Sequence, residues 1–361
     1  MKICFVMNLP TPPQAVGGLE LQCYLIAKGL VAKGWDMSYV VGFGGYHQEV
    51  SGTRIGFPVF QVPYSARRHA RYMRALAHML LFRILRQVNP DILLVAYGGY
   101  VLGVGGLYSR LYRKKLVYES GSIMDADLAF KRYTGLRDYG FLGWRFHAFF
   151  VRSADVIVTN AEWVADAFRS HLPRKTVRVI PNGLKIEPPE TREASHVLWL
   201  ARMYKVKNPA MYVKLAKELP DIQFVMSGSG PLHQQIAKEA SEVPNLLLTG
   251  VVSGEEKKKL LGSAFTLVNT SLAEGFPNTL IEAGMNRVPY ISFVDPDEVI
   301  CRYELGYHVR SFQELVKKTA LLVRDRELRA KMGSNNRHYV EMNHDIEKTV
   351  SEYDHLLRSL L

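Results

Sequence analysis

Short apolar runs alternate with segments of helical periodicity along most of this chain, and the alternation occurs twice. In the first half the runs are Lys2–Asn8, Met37–Val41, Ile92–Tyr97, Leu116–Glu119 and Val156–Asn160. A proline-bearing loop ending in Gly17-Gly18 leads into Leu21, Leu25 and Ile26 at helical spacing, with Gly34 as the stop. Val177–Pro181 is one more run, closed by Pro181-Asn182-Gly183, and the polar stretch Ile186–Glu193 reads as a linker. The pattern then restarts with Val197–Leu200, Gln223–Met226, Leu246–Leu248, Phe265–Val268 and Pro289–Phe293. Some of the intervening helices open on proline, as at Asn208-Pro209 and Gly230-Pro231. Continuous apolar runs between helices are the signature of parallel strands covered on both faces. The expectation is an α/β chain of two Rossmann-like domains, residues 1–183 and 184–344, facing each other across a cleft. A C-terminal helix of about 345–361 would pack back on the first domain.

Composition narrows the function classes. With 361 residues, 48% hydrophobic and 22% charged, the chain is neither disordered nor fibrous. Three scattered cysteines make no disulfide framework and no zinc cluster, and a reduced, cytoplasmic setting is expected. No apolar run has the length of a membrane span, and the N-terminus reads as a strand, not as a signal peptide. The net charge is +12, and all of it falls in the first half: residues 1–180 carry 23 Lys/Arg against 11 Asp/Glu, and residues 181–361 carry 23 of each. Such a bias concerns partners, with anionic lipid, a phosphorylated acceptor or nucleic acid as candidates.

The chemistry concentrates in Phe265–Glu282, which reads FTLVNTSLAEGFPNTLIE. A strand leads through a loop holding Glu274, Gly275 and Phe276 to Pro277, the expected first residue of a helix continuing through Asn278, Thr279 and Glu282. A helix starting there directs its N–H groups and positive dipole end at the loop, which makes an anion site. Along a helix, eight residues rise ~12 Å, too far for a glycosidase carboxylate pair at ~5–9.5 Å. The two glutamates suit opposite ends of one long ligand, a ribose and a hexose with a diphosphate between them. Arg202 and Lys207 follow the strand Val197–Leu200 and are placed to meet the same diphosphate. At ~4 Å and an effective dielectric of ~20, each unit-charge contact is of order 4 kcal/mol before desolvation. Solvated surface cations and a chance glutamate pair are the plain alternative.

Taken together, these residues resemble the retaining glycosyltransferases of sequence family 4, which have the GT-B fold. The family's Glu, seven residues, Glu pattern matches Glu274 and Glu282, and its Arg, four residues, Lys matches Arg202 and Lys207. Its paired glycines match Gly17-Gly18, its Ile-Pro-Asn-Gly matches Ile180-Pro181-Asn182-Gly183, and its Gly-x-Gly-Pro matches Gly228-Ser229-Gly230-Pro231. The resemblance implies a nucleotide-diphosphate sugar donor, with a UDP-sugar favoured, bound without metal or other cofactor. Glu274 would touch the sugar hydroxyls and Glu282 the ribose. Arg202, Lys207 and the amides of Pro277–Thr279 would meet the diphosphate, and the residues near Gly250-Val251-Val252 the base. Gly17 and Gly18 would bring backbone close to the donor. A glycan or lipid-linked acceptor, as in surface polysaccharide or glycolipid assembly, would sit on the first domain, with Glu119, Ser120 and Asp125 as candidates. Three departures stand out: Glu119 lies near where the family often has His, Arg287 replaces a Gly before Val288-Pro289, and Asp295-Pro296-Asp297 replaces a Gly-Gly loop.

Other signals are weaker. Asp125-Ala126-Asp127 and Asp295-Pro296-Asp297 are DxD patterns, common by chance. Gly103-Val104-Gly105-Gly106 and Gly42-Phe43-Gly44-Gly45 lack GxGxxG spacing. Arg67, Arg68, Arg71, Arg74, Arg83 and Arg86 line a helix whose apolar residues recur at helical spacing. Residues 67–86 read either as an ordinary packed helix or as a contact with an anionic membrane surface, extended by Arg113-Lys114-Lys115 and the aromatics from Tyr139 to Phe150; the enzyme would then be peripheral on the inner face of the cell membrane. A nucleotide-sugar epimerase or hydrolase of the same fold, and a non-catalytic basic binding module, are the competing readings. No nucleic-acid motif is present, and nucleic acid is not expected as a partner.

Overall fold

The computed structural model describes residues 1–7, 17–41, 56–62, 71–96, 100–126, 148–190 and 192–361, side chains excepted at 71–75 and 100. The described chain divides into two compact units, Met1–Asn182 with Ile346–Leu361, and Gly183–Asp345.

The first unit is built on a parallel sheet of β1 (Lys2–Val6), β2 (Asp36–Val41), β3 (Val59–Gln61), β4 (Ile92–Val95), β5 (Lys115–Ser120), β6 (Val156–Thr159) and β7 (Thr176–Val179), in the order β3-β2-β1-β4-β5-β6-β7. The order reverses direction between β1 and β4. Right-handed crossovers therefore put α1 (Gly18–Ala32) on one face and α2 (Arg71–Val88), α3 (Tyr100–Tyr112) and the helical residues 148–153, here α5, on the other. The short α4 (Ile123–Ala126) follows β5, and α6 (Glu162–His171) joins β6 to β7. Gly34, at φ 87, ends α1 in the left-handed region.

The last helix, α14 (Ile346–Ser359), completes this unit. Its Tyr353, Leu356 and Leu357 join Cys23, Ile26 and Leu30 of α1 in the core over β1 and β2. Burying each large apolar side chain stabilises by about 1.5–3 kcal/mol. Helix α14 meets α1 so closely that a Cβ on Gly29 would lie 2.4 Å from Val350 Cγ2. The Trp35 indole N–H donates to Asp354 at 2.7 Å and fixes the register of the contact.

The second unit is a parallel sheet of β8 (His196–Leu200), β9 (Phe224–Ser227), β10 (Leu246–Gly250), β11 (Ala264–Asn269), β12 (Tyr290–Ser292) and β13 (Gly306–His308), in the order β10-β9-β8-β11-β12-β13. Around it run α7 (Pro209–Glu218), α8 (His233–Ala240), α9 (Gly254–Gly262), α10 (Asn278–Met285), α11 (Val299–Arg302), α12 (Phe312–Arg324) and α13 (Arg326–Asn343). Trp199, Tyr212 and Phe224 anchor its core. The Tyr212 hydroxyl bonds to the Val197 and Val225 carbonyls at 2.8 and 3.0 Å, bracing α7 across β8 and β9. Ser311 and Asp325 cap α12 and α13 through side-chain acceptors, as their residue types favour.

Several local readings change. The three-residue edge strands β3 and β13 are too short for an apolar pattern to reveal. Pro277 stands at the N-cap of α10 and not inside it, and α8 starts at His233, beyond Pro231.

Arg287 terminates a helix. Its N–H bonds to the Gly284 carbonyl at 3.0 Å, and the Val288 N–H bonds to Ala283 at 2.9 Å, which is the Schellman pattern closing α10. The residue after the C-cap is then left-handed, and Arg287 has φ 58. Arg287→Gly is expected to stabilise the unit by about 1 kcal/mol by removing the Cβ penalty; an unchanged or lower urea midpoint would contradict this.

Candidate active site

In an open parallel sheet, ligands bind outside the carboxyl ends of the strands where the strand order reverses. In the second unit that point lies between β8 and β11, which are direct neighbours. The loop after β8 carries Arg202 and Lys207, and the loop after β11 carries Glu274.

These two loops are tied together. The Trp199 indole N–H donates to Thr270 Oγ1 at 2.9 Å, and the Thr270 hydroxyl donates to the Lys207 carbonyl at 2.7 Å. The Leu272 N–H bonds to the Val206 carbonyl at 2.8 Å. So held, Lys207 Nζ donates to Glu274 Oε1 in a largely buried ion pair. Arg202 is half-buried, its guanidinium over the Tyr204 ring at 5.6 Å. A third loop presses on the same place. A Cβ on Gly228 would lie 1.9 Å from the Ala201 carbonyl oxygen, and one on Gly230 2.9 Å from that of Met203. Both glycines also have positive φ, 142 and 154, so the Gly228-Ser229-Gly230 loop needs glycine for conformation and for close approach.

Helix α10 leads away from this site with its N-terminal end toward the Glu274 loop. Gly275, Phe276, Pro277 and Asn278 are buried at that junction, and Thr279 is partly exposed. One turn further, Glu282 is 7% exposed. One of its oxygens accepts from Lys257 Nζ of α9 at 2.5 Å. The other, Oε2, is buried and has no hydrogen-bond partner among the described residues. Each glutamate thus carries its own lysine, and the helix start lies between the two pairs. Lys257 and Thr270 went unnoticed in the sequence: Lys257 sits in a run of three lysines that reads as a solvated helix face, and Thr270 in a plain loop. Val251, in the loop after β10, is exposed, while the Gly250 carbonyl before it accepts from Gly228 N–H and Ser227 Oγ at 2.7 and 2.9 Å.

The Asp295-Pro296-Asp297 segment proves to be a turn. The Asp295 carboxylate accepts the Ile300 and Cys301 N–H groups at 2.8 and 3.1 Å, which organises the start of α11. Asp297 and Glu298 both take left-handed backbone, at φ 55 and 59, a conformation that is strained for residues other than glycine. Asp295, Cys301 and His308 bring one ligand-type atom each within 4.8 Å of one another; Asp297 is not in that group.

The other expected residues belong to the first unit. Gly17 is the N-cap of α1 and Gly18 its first residue. Glu20 folds back toward the cap, where a Cβ on Gly17 would lie 2.0 Å from its carboxylate. At the end of β5, a Cβ on Gly121 would lie 3.7 Å from Leu19 Cδ1, so the β5 end and the α1 start are adjacent. Glu119 is buried, 4.0 Å from the Cys23 sulfur, and receives the Tyr353 hydroxyl of α14. Burial pushes its carboxyl up to about 7. The Ser120 hydroxyl donates to Asp125 at 3.1 Å, and burial raises Asp125 to about 6. Arg67, Arg68, Asp127, the Gly42–Gly45 segment and the aromatics from Tyr139 to Phe146 lie outside the described residues, as do the side chains of Arg71 and Arg74.

Comparison with known proteins bears on the family and the fold. Alpha-galactosylglucosyldiacylglycerol synthase of Streptococcus pneumoniae is 26% identical over 198 residues, covering 48% of this chain and 52% of that protein. The chain spans about half the length of the curated relatives it matches. Sucrose-phosphate synthase of Thermosynechococcus elongatus superposes with a TM-score of 0.82 over 99% of this chain and 98% of that one, at 14% identity. HepE of Anabaena, solved with UDP, superposes at 0.76 over 99% and 100% of the two chains, at 18% identity. The family model Glycosyltransferase Family 4 matches residues 16–187, and Glycosyl transferases group 1 matches residues 185–339. With both halves matched in sequence and both sheets wound as the GT-B fold requires, the chain belongs to the family 4 glycosyltransferases.

Proposed function

We propose that the chain is a retaining, metal-independent glycosyltransferase that moves a sugar from a nucleotide-diphosphate donor, a UDP-sugar in first preference, to a glycan or lipid-linked acceptor. One observation carries this reading: the partly buried Glu274 and the buried Glu282 flank the α10 start in the chain, each with its own lysine. Glu274 would accept hydroxyl hydrogens of the sugar. Glu282, with one oxygen on Lys257 and the other unpaired, suits the two hydroxyls of a ribose. Arg202, Lys207 and the α10 dipole supply the positive charge that a diphosphate leaving group needs as its charge develops. In the reaction the bond from the anomeric carbon to the diphosphate oxygen breaks. The acceptor oxygen bonds to that carbon on the same face, and its proton passes to the departing phosphate. Glu119, Ser120 and Asp125 of the first unit are assigned to the acceptor side. The positive first half favours a lipid-linked acceptor over a soluble one.

Thermal-shift titration with nucleoside diphosphates and their sugars tests donor binding. A ligand at about 100 times its Kd stabilises by ~2.7 kcal/mol, and the rise is expected to shrink in Glu282→Ala. If neither free nor sugar-linked nucleotides raise Tm, the reading fails. Donor consumption without any acceptor would instead mark a hydrolase.

A further inference from the structure

We infer that the outer faces of α2, α3 and α5 form one docking surface for an anionic lipid bilayer. This deepens the lipid-linked reading of the acceptor, but its test involves neither donor nor transfer, so the two fail separately.

Among the described residues, the first unit exposes eight large hydrophobic side chains. Apart from the first and last residues of the chain, all of them fall on these helices: Leu76 and Met79, then Leu107, Leu111 and Tyr112, then Phe149. Helical spacing gathers them into stripes. Leu76, Met79, Arg83 and Arg86 recur at i, i+3, i+7 and i+10 and are exposed together. Leu107, Arg110 and Leu111 do the same on α3. Met79 and Leu111 are 69% and 63% exposed, far more than packing on the unit's own sheet would leave.

The stripes form one surface because the helices touch. Phe82 of α2 packs edge-on against Tyr108 of α3, with ring centroids 5.9 Å apart. Gly103 and Gly106 let α3 approach Phe150, to which added Cβ atoms would come within 3.1 and 2.2 Å. Arg110 of α3 lies over the Phe149 ring at 5.4 Å, joining the second seam at the surface.

Charge selects the occupant. Residues 71–88, 100–112 and 148–153 contain no Asp or Glu but six arginines, and Arg113, Lys114 and Lys115 follow directly on α3. Nearby Asp91 and Asp155 are matched to Lys114 and Lys115 at 3.9 and 4.0 Å. An apolar patch rimmed by cations and free of acids suits a bilayer, whose acyl boundary takes leucine, methionine and phenylalanine while anionic headgroups meet arginine. A second copy of the same surface would set arginine against arginine.

The test is sedimentation of the full chain with vesicles of phosphatidylcholine alone, or with about a third phosphatidylglycerol. Anionic vesicles are expected to bind it at least about tenfold more strongly, with the preference fading in salt. Met79→Glu with Leu111→Glu should lower that binding about tenfold with Tm unchanged. Arg83→Gln with Arg86→Gln should weaken it and flatten its salt dependence. Equal binding to both vesicles, no binding to either, or wild-type binding by both variants would overturn the proposal. So would a wild-type dimer that the glutamate variant dissociates, which would make the patch a self-interface.

Discussion

Glu274→Gln is expected to lower kcat/KM for sugar transfer by about 10²–10³ while the protein stays folded. The substitution keeps the side-chain shape and removes the charge. Its partner Lys207 is held in place through its own carbonyl by Thr270 and Trp199, so the loop should survive loss of the ion pair. A group that acts on the reacting sugar contributes ~2.7–4 kcal/mol to the barrier, the scale measured for single electrostatic contacts at reacting centres. If Glu274 served only to pair Lys207, the loss would appear as a lower Tm with turnover retained. Wild-type turnover in Glu274→Gln would remove the role assigned to it, and a fall in Tm with activity lost in proportion would reassign it to folding.

The second large effect concerns pH. Glu119 sits under α1 and α14, facing Cys23 from one helix, Tyr353 from the other and Tyr39 from β2. Burial raises its pKa from 4.5 to about 7. The folded state then holds this proton more tightly than the unfolded chain does. Between pH 4.5 and 7 the folded protein binds the extra proton, so stability falls as pH rises through that window and stays low above it. At 1.36 kcal/mol per pKa unit the loss is of order 3 kcal/mol. Asp125, raised from 3.8 to about 6, acts in the same direction in a lower window. Glu119→Gln cannot ionise, so its Tm should decline less than wild type between pH 5 and 8, by a difference of several degrees. Parallel Tm–pH curves for the two proteins would refute this, whereas a variant that is less stable at pH 5 would show that the carboxylic proton itself makes a needed hydrogen bond.

Much of the fold was legible because apolar runs buried on both faces announce themselves. Val197–Leu200 and Ile92–Val95 have no polar alternation, and parallel strands covered by helices are where such runs belong. The edge strands Val59–Gln61 and Gly306–His308 were not, since a strand paired on one side needs little apolar character. At the candidate site the residue types could be read, but not their pairing. Lys207 and Glu274 are 67 residues apart and meet only because β8 and β11 are neighbours, a fact of strand order that no local spacing encodes. Arg287 shows the converse. In sequence it is only a departure from a family pattern, yet its φ of 58 and the Schellman bonds around it make it a helix stop.

Because the closing helix α14 supplies part of the core over β1 and β2, the chain leaves the first unit after Asn182 and returns at Ile346. During synthesis the ribosome must release the whole of the intervening unit before the first can be sealed. Until then the apolar flank of α1 stands open to water, so the first unit is sealed only once the second has been made.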